Sequence, residues 1–160
     1  MATGCILHAD LGMRLALQVQ YAICGVFDLA YNGQGEPVQV RVISDRQAIP
    51  GRYLEQIFRR LRQANVLLSK RGPGGGYTLA RPPSEISLRE VIEAVEGSLV
   101  ESFEMEPALE ATGHRPDFLW SELAESFAGV LDATTIETLC LRAERTDIPR
   151  AETEAPMYFI

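Results

Sequence analysis

The chain has 160 residues, 46% of them hydrophobic, and a net charge of −7. That length suits one domain, or one domain with an appendage, and the hydrophobic content supports a real core. No apolar run approaches the roughly 20 residues that cross a bilayer, and the odd, widely spread cysteines Cys5, Cys24 and Cys140 make no disulfide framework, so a cytoplasmic protein with no membrane partner is expected.

Residues 1–12 lack clear periodicity and are expected to form an N-terminal extension without a secretory signal. From Met13 to Tyr31 the apolar residues Leu15, Val19, Ala22, Ile23, Val26, Phe27 and Ala30 recur at helical spacing, and Asn32-Gly33-Gln34-Gly35 ends the helix. Pro37–Val40 suits a short strand leading into a second helix, Arg41–Ala48, and Ile49-Pro50-Gly51 breaks the chain again. The next helix, Arg52–Arg62, turns Tyr53, Leu54, Ile57, Phe58 and Leu61 inward and leaves Arg52, Glu55, Gln56, Arg59, Arg60 and Arg62 outside. Two strands follow, Val66–Leu68 and Tyr77–Leu79, joined by the basic, glycine-rich tip from Lys70 to Gly76. Helix, turn, helix and hairpin in that order outline a winged helix-turn-helix over residues 13–97.

Ser87-Leu88-Arg89-Glu90 reads as a capping box for a helix from Leu88 to Glu96, with Val91, Ile92 and Val95 on its buried face. Residues 98–115 are acidic and weakly periodic, a connector or sensing segment. Pro116 opens a longer helix whose apolar stripe holds Leu119, Leu123, Phe127 and Leu131, joined by Trp120. That stripe is more apolar than an outermost helix usually exposes, so residues 116–142 suit pairing with a second copy, the alternative being packing within one chain. Thr134–Glu137 offers a cap for a short helix, and residues 143–160 form a charged, flexible tail. The fold class is mainly α with a small β-hairpin wing.

The charge is unevenly spread. Residues 38–81 hold nine Lys+Arg against two acids, or +7, and the rest of the chain carries −14. A basic segment in an acidic protein is aimed at a polyanion, while a solvated charged face usually mixes signs. Arginine and glutamine on a short helix can read base edges, and a wing tip can carry Arg71 to a minor groove. An ordinary amphipathic helix beside a merely flexible hairpin is the plainer alternative. RGPGGGY lacks the spacing of a nucleotide-binding loop. Cys5 and His8 have no second pair to complete a zinc site. No catalytic constellation is visible, so no enzyme is expected.

QYAICGVFDLA, YLEQIFRRLR followed by RGPGGGY, and FLWSELAESFAGVLD together resemble the Rrf-type (IscR/NsrR/CymR-like) bacterial winged-helix transcriptional regulators across most of residues 13–132. The resemblance implies a homodimeric DNA-binding regulator, more often a repressor of a pseudo-palindromic operator, with a long C-terminal helix exchanged or crossed between subunits. It carries double-stranded DNA contact to Arg52, Tyr53, Glu55, Gln56, Arg60, Arg62, Arg71 and Gly72, beside which the basic residues Arg59 and Lys70 of the same helix and wing tip are further candidates. Three departures stand out. Residues 1–12 precede the usual start, as an extension or a misplaced start, and Ala16–Gln20 supplies none of the basic residues common at the beginning of the first helix. Cluster-bearing members also place three cysteines in the connector, whereas GSLVESFEMEPALEATGHRP has none. A three-cysteine iron–sulfur cluster is thereby excluded; one using Cys24, His114 and Asp117 is the lesser alternative to a cluster-free regulator answering an effector protein, a small molecule or thiol oxidation. A rival from another class is a protein-interaction module acting on a metabolic enzyme.

Overall fold

The computed structural model describes residues 15–103 and 116–151. The hydrophobic periodicity of the N-terminal half becomes three helices: α1 (Leu17–Asn32), α2 (Val40–Gln47) and α3 (Gly51–Gln63). Phe58, Leu54, Leu61 and Ile43 are fully buried among Val19, Val26, Val91 and Ile136, so one core gathers the inner faces of α1, α3 and the next helices. Each such side chain contributes roughly 1.5–3 kcal/mol on burial. Close packing of α1 against α3 depends on Gly25, where a Cβ would stand 2.6 Å from the Phe58 ring.

α2 and α3 are joined by a turn at Ala48, Ile49 and Pro50. Ala48 takes a left-handed conformation (φ 52°), and buried Ile49 plugs the corner. The pair is tied to α1 by Asp28, which has no exposed surface and accepts from Arg46 Nη2 at 2.5 Å, Gln47 Nε2 at 2.9 Å and Asn32 Nδ2 at 3.2 Å. A buried carboxylate survives only with such partners, so this cluster fixes α2 on α1.

The wing is an antiparallel pair, β1 (Leu67–Lys70) and β2 (Gly76–Leu79), in register from Leu67↔Leu79 to Lys70↔Gly76. Its tip turns through Gly72 and Gly74, both at positive φ, and closes with Gly75 N–H donating to Gly72 O at 2.9 Å. Tyr77 pins the base of the hairpin twice. Its backbone exchanges hydrogen bonds of 2.8 and 3.0 Å with Val38, and its ring meets Phe58 edge-on at 5.1 Å. Gly76 is needed at that crossing, since a Cβ there would lie 2.5 Å from the Val38 carbonyl.

After a 3₁₀ turn at Pro83–Glu85 come α4 (Leu88–Glu96), the one-turn helix α5 (Leu99–Ser102), α6 (Phe118–Ala133) and α7 (Ile136–Arg145). The capping box at α4 forms as read from the sequence: Glu90 N–H donates to Ser87 Oγ and Ser87 N–H to Glu90 Oε2. Thr135 caps α7, and a short bridge between Ser87 and Thr135 ties α7 back to the winged-helix body.

Several boundaries differ from expectation. α1 begins at Leu17, because Ala16 is extended, and Pro37–Val40 supplies only the single bridge at Val38. Tyr53, read as inward, is exposed, since its position falls on the flank of α3. α7 runs past Arg142 to Arg145, and the residues after it dock on the end of α1. There the Tyr31 hydroxyl donates to Ile148 O at 2.8 Å, Arg150 lies over the Tyr31 ring, and Ala151 N–H donates to Asn32 Oδ1 at 2.8 Å. Charge alone suggested fraying; the aromatic partner that holds this stretch is far away in sequence.

Candidate nucleic-acid interface

An α-helix advances about 100° per residue, so α3 sorts its side chains into arcs. Leu54, Ile57, Phe58 and Leu61 form the buried arc. Opposite them Arg52, Gln56, Arg59 and Gln63 share one exposed stripe. Gln63 was missed from the sequence although it extends the same spacing by one turn. Glu55 and Arg62 occupy the flank nearer the wing, where Arg62 Nη1 donates to Ser69 Oγ at 3.2 Å. Tyr53 and Arg60 occupy the other flank and border a cleft of about 390 Å³ reaching Leu17, Gln18 and Tyr21 of α1. The Arg52 guanidinium lies 5.7 Å from the Tyr53 ring centroid, a weak cation–π contact that keeps both at the start of the helix.

Lys70, Arg71 and Gly72 are exposed on the wing. Among the described residues, the side chains of Arg59, Lys70 and Arg71 make no hydrogen bond or ion pair, so their charge is available to another molecule. Other cations of the basic segment are engaged: Arg46 holds Asp28, Arg81 holds Glu90, and Arg60 donates to Val95 O at 2.9 Å. The free charge is concentrated on the outer stripe of α3 and the wing tip.

On the opposite part of the chain, α6 rests on the body through buried Ala124 and Ala128, with Leu123 and Leu131 half-buried. Leu119, Trp120 and Phe127 are exposed, as are Phe118 and Val130, each at 66%. Two alanines and two half-buried leucines thus face the body, while five large apolar residues stay exposed.

Among the described residues no three histidine, cysteine or acidic side chains gather where they could hold a metal ion. His114, like Cys5 and His8, lies outside the described residues, and Asp117 sits at the N-terminus of α6. Cys24 and Cys140 are half-buried against the core, and burial raises both thiols above their ordinary pKa. Metal ligation needs thiolate, which burial disfavours. With no cysteine between residues 97 and 116, the donors present do not fit the three-cysteine cluster that the resemblance brings to mind.

A helix-turn-helix with a basic, solvent-facing second helix and a glycine-tipped wing defines a winged-helix DNA-binding protein. The family described as Rrf2, iron-dependent transcriptional regulator, matches residues 15–142, and the chain belongs to it. The HTH-type transcriptional regulator IscR of Photorhabdus laumondii is 37% identical over 139 residues, covering 85% of this chain and 84% of its own. Among solved structures, T. potens IscR superimposes with a TM-score of 0.69 at 31% identity, covering 89% of this chain and 96% of its own. CymR, the global cysteine regulator of B. subtilis, gives 0.68 at 29% identity, covering 81% and 98%. The protein is a DNA-binding transcriptional regulator. No helix among the described residues is long and apolar enough to cross a membrane.

Proposed function

We propose that the protein acts in the cytoplasm, without enzymatic activity, as a homodimeric repressor of a pseudo-palindromic operator. The outer stripe of α3, Arg52, Gln56, Arg59 and Gln63, enters the major groove, and Lys70, Arg71 and Gly72 of the wing reach the flanking backbone and minor groove. The observation that carries this reading is that Arg59 on that stripe and Lys70 and Arg71 on the wing have side chains with no hydrogen-bond or ion-pair partner among the described residues. Arginine and glutamine pair bidentately with guanine and adenine edges, each worth about 1–3 kcal/mol of discrimination. The exposed apolar face of α6 supplies the second requirement, a surface that a twofold copy covers. Residues 13–97 serve as the reading module, residues 98–115 as the connector, and residues 116–142 as the dimerising part. Because the connector has no cysteine, the input is an effector protein, a small molecule or a thiol change elsewhere.

Selection of duplexes from a random pool by the full chain tests this directly. The expected result is an enriched inverted repeat with half-sites about one helical turn apart. A single enriched half-site would contradict the dimer. No enriched sequence at all would contradict operator binding and favour a module that docks another protein.

A further inference from the structure

Arg60 was expected to touch DNA; the residue is exposed, yet Nη1 of its guanidinium is engaged by the chain itself. Nη1 donates to Val95 O at 2.9 Å and to Gln18 Oε1 at 3.2 Å. Gln18 Nε2 in turn donates to Glu96 Oε1 at 2.6 Å. One polar ring therefore joins α3, the first turn of α1 and the last turn of α4.

The chemistry at the far end of the ring explains why an arginine is held there. Val95 belongs to the last turn of α4, where carbonyls run out of helical N–H donors and the negative end of the helix dipole lies. α4 stops at Glu96, and Gly97 turns away at φ 91°. Both bonds come from Nη1, whose two hydrogens lie fixed in the guanidinium plane, one aimed at each acceptor; an ammonium on its flexible stem has no such fixed direction. Around α3, Arg60 stands about 100° from Arg59, off the outward stripe.

We infer that Arg60 is a positioning residue: with Gln18 and Glu96 it sets the angle at which α3 is presented to the groove, and it neutralises no phosphate. The inference rests on the DNA-binding reading above. It also places the end of α4, where the connector begins, in direct polar contact with the reading helix.

The test uses the full chain and the duplex enriched by the wild-type protein, with a scrambled duplex as reference, titrated across salt concentrations. Arg60→Ala and Arg60→Lys are expected to weaken the enriched duplex by about five- to tenfold, the scale of a partly exposed charged hydrogen bond. Neither should change binding to the scrambled duplex or the slope of log affinity against log salt. Gln18→Ala should weaken the same duplex less, and adding it to Arg60→Ala should cost nothing more, because the ring is already open. A slope shallower by about 0.9 in Arg60→Ala, with affinity kept in Arg60→Lys, is the signature of a phosphate contact and would overturn the inference. Unchanged affinity in Arg60→Ala would overturn it too. If the wild-type protein enriches no duplex, the DNA-binding reading itself fails, and this inference with it.

Discussion

Glu90 works twice at the start of α4. Its carboxylate accepts from Ser87 N–H at 3.0 Å and from Arg81 Nη2 at 2.6 Å, so it closes the capping box and anchors the end of the wing. Burial pushes its pKa up, but the Ser87 hydrogen bond and Arg81 together outweigh that and hold it below the ordinary glutamate value. A depressed carboxylate stabilises the fold above its unfolded pKa, and the contribution disappears as pH falls through the folded value. Glu90→Gln keeps a capping group but loses the charge. Urea denaturation near pH 7 should show a loss of about 0.5 kcal/mol, modest because both partners are more than a third exposed. The difference from wild type should shrink in a series descending below about pH 4.5. A difference unchanged by acid would mean that the ion pair contributes nothing. The serine and glutamate spacing made this cap readable, whereas Arg81 as a partner was not, because chain reversal at the Pro82-Pro83 turn is what brings it back.

Among the elements, α3 and its hairpin were the most legible, since a 3.6-residue period and a glycine-rich tip each depend on neighbours in sequence. α4 was placed at its observed ends for the same reason. What stayed hidden depended on contacts across the fold. Gly25 reads as an ordinary mid-helix weakness, yet it is where Phe58 approaches α1. Gly25→Ala gains about 1 kcal/mol of helix propensity but sets a methyl 2.6 Å from a fully buried ring, far inside the optimal 3.5–4.0 Å separation. Overpacking of this kind costs about 1–3 kcal/mol, so a net fall in melting temperature is expected by calorimetry. A rise would show that α1 and α3 are not as tightly apposed as described. Asp28 and the docking of Ile148–Ala151 on α1 were invisible for the same reason: each joins residues distant in sequence.

At the scale of the whole molecule, the basic window was legible from charge counting, and the structure refines what it means. Nine cations lie between residues 38 and 81, but Arg46, Arg60 and Arg81 hold the fold together. The charge left for a polyanion is narrower than the sequence suggests and lies on α3 and the wing, while the surrounding chain is acidic. Such a molecule is repelled by DNA except at one face, which favours a single docking orientation. Two outcomes are expected of the proposed interface: affinity should fall steeply with salt, and it should need both the helix and the wing. Equilibrium binding of an Arg52→Ala, Arg71→Ala double variant to the duplex enriched by the wild-type chain tests both together. If α3 and the wing both hold the duplex, binding should weaken at least about thirtyfold, as two contacts of about 1–3 kcal/mol each imply, with a shallower salt slope. Full affinity with an unchanged slope would contradict it.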